Sequence, residues 1–189
     1  MVLSAILKKL LFVRQFNIND GKITLLGDRQ VMLSSSAILE LQEIDETKMY
    51  DIGKKSSLKN LVKIVDHAKV YSKVKDVFVR KIASLGKKIG ESDEGAIKVL
   101  QDVFNVYGLG EMHLQKLDNR SKQALVMIDG STIAEEYRKK NKKKSSRAVC
   151  ALTAGVIAGI FSYIFDKKVD CVETKCKAKS GSYCLFKVG

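Results

Sequence analysis

Proline and tryptophan are both absent from this sequence, and only two histidines occur. Without proline, turns and helix ends must be marked by Gly, Asn, Asp and Ser. Without tryptophan, one common anchor for aromatic ligands and interfaces is missing. No glycine-rich phosphate loop is present. Gly86 and Gly90 lack the Lys-Ser/Thr partner of a P-loop and read as helix-end glycines. There is no dinucleotide fingerprint, no evident cofactor motif and no internal repeat, so a reductant would have to come from a partner. His67 and His113 sit in no motif that ties them to a nucleophile, and both read as ordinary surface or half-buried residues.

What is present is a core and a strong charge. The 189 residues are 46% hydrophobic, ample for one compact domain. Residues 1–33 read as an N-terminal hairpin and strand region, and 34–189 as a single compact unit. The net charge is +13, and the run at 138–147 (RKKNKKKSSR) carries seven of those positive charges. The basicity is thus partly a local loop property, best read as a solvated linker. Aromatic residues are not interleaved with the basic ones, so a single-strand stacking platform is not expected and nucleic acid is an unlikely partner. At the N-terminus, Lys8 and Lys9 interrupt an apolar stretch and no small-residue cleavage site follows. A cytoplasmic location is expected. The four cysteines all fall between 150 and 184, a pattern that suits metal ligands better than a disulfide framework.

Turn and periodicity signals set the order of elements. Strands are expected over 11–18 and 22–26 around Asn19-Asp20-Gly21, with another over 30–33. Ser34, Ser35 and Ser36 offer N-cap hydroxyls for a helix over 37–42. The pattern is helical from 47 to 107. One apolar stripe holds Leu58, Leu61, Val62 and Val65. The next runs from Val70 to Leu85 and stops at Gly86. A third helix opens at Ser92-Asp93-Glu94, buries Ile97, Leu100, Val103, Phe104 and Tyr107, and ends at Gly108. Strands over 111–116 and 123–128, a short helix over 131–139, an apolar helix over 148–165, and strands over 169–174 and 183–188 complete the chain. Strands, helices, strands, helix and hairpin in that order give an α+β fold with an antiparallel sheet.

The apolar helix bears no charge and contains Gly155 and Gly159, a GxxxG pair that allows close helix approach. It reads as a central buried helix rather than a membrane span. Both flanks are basic, and Cys150 at its start must meet a hairpin just beyond its end.

Cys150, Glu173, Cys176 and Cys184 form the constellation that carries chemistry. Alternation along a strand puts Cys171 and Glu173 on one face, and Cys184, Phe186 and Val188 on one face of the return strand. The hairpin therefore gathers Glu173, Cys176 and Cys184, and Cys150 joins them from the first turn of the helix. Three thiolates and one carboxylate fit tetrahedral zinc, and a site filled by four protein ligands is structural. Three alternatives stay open. Cys171 could displace Glu173 in an Fe–S site, the cysteines could act catalytically, or they could be buried thiols without metal.

Glu173-x2-Cys176-x7-Cys184, with Gly181 in the turn, Cys150 upstream and Leu-Phe-Lys-Val following, resembles the C-terminal signature of the 4-vinyl reductase domain family. The ligand set also resembles that of the sensory domains of phenol-responsive activators. The resemblance is specific over 148–188 and architectural elsewhere. It implies the fold of the small subunits of the TRAPP complex, in the stand-alone form found in archaea. It further implies a small apolar ligand near the zinc hairpin, and a homodimer. The phenol sensors use a Trp in their pocket, which this chain lacks. The expected pocket residues are Phe104, Tyr107, Ile157, Phe161 and Tyr163. The reading is a zinc-containing binding or sensory domain, more a binder than an enzyme. The alternatives are a non-catalytic scaffold subunit and an accessory protein in tetrapyrrole vinyl reduction.

Overall fold

A computed structural model describes residues 16–19, 21–25, 28–70, 101, 104–105 and 107–189. The expected apolar N-terminus, the stripe at 74–85 with its Gly86 end, and the opening of the helix at 92–94 lie outside the described residues.

Strands β1 (Phe16–Asn19) and β2 (Lys22–Leu25) pair as an antiparallel hairpin with Asn19 opposite Lys22. Gly21 takes φ 69°, the left-handed region that its missing Cβ permits. Strand β3 covers Asp28–Gln30 rather than 30–33. It pairs only along the four-residue β2 and runs out of partner at Gln30, opposite Ile23. Val31, Met32 and Leu33 are left exposed.

Helix α1 (Ser35–Ile44) starts where the serines predict. Ser34 Oγ accepts the Ala37 N–H at 3.2 Å. Asp45 then ends one helix and starts the next. Its N–H bonds to Leu41 O, and its Oδ1 accepts the Lys48 N–H at 2.8 Å in the first turn of α2 (Glu46–Val70).

A four-stranded antiparallel sheet holds the second half of the chain. Its strands are β4 (Glu111–Asp118), β5 (Gln123–Asp129), β6 (Cys171–Lys175) and β7 (Cys184–Val188), in the order β4-β5-β7-β6. Asp118 Oδ1 accepts from the Arg120 and Ser121 N–H groups and shapes the β4–β5 turn. Between β5 and β6 come α3 (Thr132–Asn141) and α4 (Ala151–Ile164). That insertion lets the closing hairpin return with β7 beside β5. The alternation expected of these strands holds: Ala124, Val126, Ile128, Cys184, Phe186 and Val188 are all buried.

Helix α4 is the core of the molecule, with eleven of its fourteen residues buried. No described helix is long and apolar enough to cross a membrane. Its glycines face α2. A Cβ on Gly155 would collide with the Tyr50 carbonyl, and one on Gly159 with Ser57 Oγ and the Lys54 carbonyl. Gly53 of α2 approaches the Leu152 carbonyl in return. The GxxxG pair is thus an intramolecular contact between helices. It also corrects the stripe expected on α2. Leu61 is buried, but Leu58 and Val62 are partly exposed, and the buried positions are Gly53, Ser57 and Leu61. Close backbone approach rewards small residues on the contact face, and larger apolar ones are displaced from it.

The basic run begins inside α3, where Arg138, Lys139 and Lys140 complement the negative end of the helix. Lys142 closes the helix at φ 52°. Lys140 pairs with Glu43 at 2.7 Å and Arg147 with Glu46 at 2.8 Å, so part of the run is spent on helices α1 and α2.

Candidate metal centre

Three elements deliver the four side chains. Cys150 is the N-cap of α4, Glu173 lies on β6, Cys176 follows that strand, and Cys184 opens β7. A register shift between Glu173 and Lys175 interrupts the alternation of β6. The chain then turns, and Cys176 comes to the side that Glu173 already faces. One ligand atom from each of Cys150, Glu173, Cys176 and Cys184 lies within 4.8 Å of all the others. The three thiols are buried and the carboxylate is half-buried. This group could hold a metal ion.

Cys171 is not in the group. It pairs with Val188, further along the hairpin, and its N–H donates to Tyr50 Oη at 3.0 Å. Burial pushes its thiol up, with Glu173 and Asp170 adding to the effect. His113 is half-exposed and stands 3.8 Å from a Glu111 oxygen. The side chain of His67 lies outside what is described.

Backbone donors surround the cluster. The Cys150 N–H donates to Glu173 Oε2 at 3.0 Å, and the Lys177 N–H to Cys184 Sγ at 3.3 Å. Ser131 Oγ stands 3.5 Å from Cys150 Sγ, and Cys150 Sγ 3.8 Å from Cys184 Sγ. The turn after Cys176 is anchored from outside. The Ser145 N–H donates to Ala178 O at 2.9 Å, and Lys177 pairs with Glu135 at 2.6 Å.

The electrostatics of these atoms are unbalanced. Hydrogen bonds from Cys150 and Cys184 hold Cys176 as a thiolate, far below the ordinary thiol range. Cys150 is held well above that range by its bonds to Cys176 and Cys184 and by burial. The Cys184 thiol is lowered by its bond to Cys150, but its bond to Cys176 and burial outweigh this and raise it overall. Burial, with the Cys176 thiolate beside it, raises the Glu173 carboxyl to about 7. Like charges packed this closely cannot all ionise without a cation among them. Glu173 Oε1 is buried and has no hydrogen-bond partner, while Oε2 is held by Cys150.

The five expected pocket residues share one region. Phe104, Ile157 and Phe161 are fully buried in the core, and Tyr107 and Tyr163 pack half-buried against it. Tyr107 Oη accepts from Asn60 Nδ2 at 3.3 Å, and burial pushes its phenol up to about 12.

Two features escaped the sequence. Tyr50, Lys54 and Asp170 tie α2 to the start of β6: Tyr50 Oη and Lys54 Nζ both bond Asp170 Oδ1, at 3.0 and 2.6 Å. Gln42 of α1 is buried against the start of α4. Neither belongs to a motif, and a polar residue on an amphipathic helix gives no signal of burial.

Residues 131–189 match the family model of the 4-vinyl reductase domain. No curated protein sequence matches the chain. Several solved structures do. The phenol-responsive sensory domain of the transcription activator PoxR, in a structure with phenol, aligns with a TM-score of 0.69 at 16% identity. The alignment covers 100% of this chain and 90% of that one. A vinyl-4-reductase family protein from Methanocaldococcus jannaschii aligns at 0.47 and 12% identity, covering 100% and 94%. Subunit 3 of a trafficking protein particle complex from Naegleria fowleri, covalently bound to palmitic acid, aligns at 0.45 and 13%, covering 99% and 92%. The likeness expected from the cysteine signature is therefore found, and the fold is that of the PoxR sensory domain.

Proposed function

We propose that this chain is a sensory or binding domain for a small apolar molecule, its C-terminal hairpin held by a structural zinc ion. The observation that carries the ligand reading is the fold shared along the whole chain with a domain seen with phenol. Phe104, Ile157 and Phe161 offer an apolar wall. Tyr107 and Tyr163, at its half-buried margin, offer the polar groups that orient a bound molecule. Ligand-dependent thermal stabilisation tests this. At least one class from a panel of aromatics, lipids and tetrapyrroles raises the melting temperature in proportion to its saturation. No shift across the panel would sink the ligand reading.

Zinc is supported by the donor set. Ligands at about 2.3 Å in a tetrahedron stand about 3.8 Å apart, the separation of Cys150 Sγ and Cys184 Sγ. Glu173 Oε1 is an orphaned buried acceptor beside the thiols, and a dication would satisfy it. Cys150, Cys176, Cys184 and Glu173 would fill all four positions, which leaves none open for substrate. The metal would supply cross-linking: it joins α4 to β6 and β7, and part of its binding energy becomes folding energy.

Protonation gives a check. Cys150 and Cys184 are held as neutral thiols, and Glu173 titrates near 7. Binding must therefore expel about two protons near pH 8, and more towards pH 6, as Glu173 adds its own. Zinc affinity falls as pH drops through that range, because protons compete for the same atoms. Titration calorimetry in buffers of different ionisation enthalpy counts them. Binding without proton release would contradict the ligand set.

A further inference from the structure

The metal centre is built on the first turn of α4, and that turn is not capped in the usual way. Cys150 stands at the N-cap position but makes no side-chain capping bond. A buried helix start leaves backbone groups in need of partners. Here the partner comes from another helix. Gln42 of α1 is only 1% exposed. Its Nε2 donates to the carbonyl of Val149, and its Oε1 accepts the N–H of Leu152 at 2.9 Å.

These two bonds grip the chain on either side of Cys150. That residue serves the cluster twice. Its Sγ is one of the four donors, and its N–H holds Glu173 Oε2 and leaves Oε1 towards the thiols. Fixing the Cys150 backbone thus fixes two of the four ligand positions. Only a carboxamide places a donor and an acceptor at one side-chain tip with this reach. Leucine or methionine fills the space without either bond, and ionised glutamate can only accept.

We infer that Gln42 is the positioning residue of the metal centre, setting the Val149–Leu152 turn that presents Cys150 and orients Glu173. This rests on the zinc reading above. It adds that α1, more than a hundred residues away in sequence, is part of the metal site. Coupling of this kind is reciprocal: a docked α1 raises metal affinity, and bound metal strengthens the docking of α1.

Gln42→Met keeps the bulk and removes both bonds; Gln42→Glu keeps the shape and removes the donor. Zinc affinity, measured by competition with a chromophoric chelator, is expected to fall about 10–100-fold in each, the range for groups that orient metal ligands. The thiolate-to-cobalt absorption of the cobalt(II)-loaded protein should shift as well. Wild-type affinity with an unchanged cobalt spectrum would show that Gln42 serves packing alone, and would overturn the inference. Hydrogen exchange on the wild-type protein needs no variant. Chelating the metal should speed exchange in Ser35–Ile44 as well as in the hairpin, whereas faster exchange confined to the hairpin counts against the coupling. A wild-type chain that binds neither zinc nor cobalt brings down the zinc reading itself. Binding by the wild type and the variants alike brings down only the role of Gln42.

Discussion

Cys176→Ser and Cys184→Ser are each expected to cost at least about 3 kcal/mol of folding stability, with loss of metal. Structural zinc sites contribute roughly 10–16 kcal/mol in small peptides, and a missing thiolate forfeits much of that. The consequence spreads because β7 is an interior strand, between β5 and β6. Loosening it uncovers Phe186 and Val188, both fully buried. Cys171→Ser is the control. Its thiol is buried but lies outside the cluster, so the substitution costs only the exchange of a small apolar group for a hydroxyl, about 1–3 kcal/mol, with metal retained. Urea unfolding with parallel metal analysis separates the cases. Equal losses at all three cysteines would mean that they are ordinary core thiols.

The second large effect falls on the glycines of α4. Gly159→Leu is expected to destabilise by about 3 kcal/mol or more. Overpacking of a closed core commonly costs about 1–3 kcal/mol, and here the obstacle is the Lys54 carbonyl, which cannot rotate away. Gly155→Val meets the Tyr50 carbonyl in the same way. Gly155→Ala should already be felt, since the first added carbon collides. Calorimetric melting of these variants gives the answer. A Gly159→Leu protein with wild-type melting would show that α2 and α4 do not pack through this face. Damage here should also reach the hairpin, because Tyr50 bonds both the Cys171 N–H and Asp170 at the start of β6.

The parts that were legible share a physical cause. Strand alternation is a two-residue code, and it places Glu173, Cys184, Phe186 and Val188 on one side without knowledge of partners. Serines before an apolar helix and Asn-Asp-Gly between strands are local signals, and α1 and the first hairpin followed them. Gly155 and Gly159 announced close approach but not the element approached. That depended on Gly53 and Ser57, small residues which periodicity scores as neutral. The same neutrality hid the buried face of α2, so that Leu58 and Val62 were wrongly assigned to it. Gln42 illustrates the limit. Its role exists only because α1 meets the start of α4, and a burial set by tertiary contact leaves no trace in local pattern. The four donors were found because thiol chemistry narrows the choices. The turn that holds Cys150 was missed because backbone groups look alike in every sequence.

A closed zinc site made by Cys150, Glu173, Cys176 and Cys184 underlies both the stability of the hairpin and the role of Gln42. Elemental analysis of the purified chain, repeated on Cys184→Ser, tests it most directly. About one zinc per wild-type chain, lost in the variant, is the predicted result. Iron in place of zinc, no metal at all, or zinc retained by the variant would contradict it.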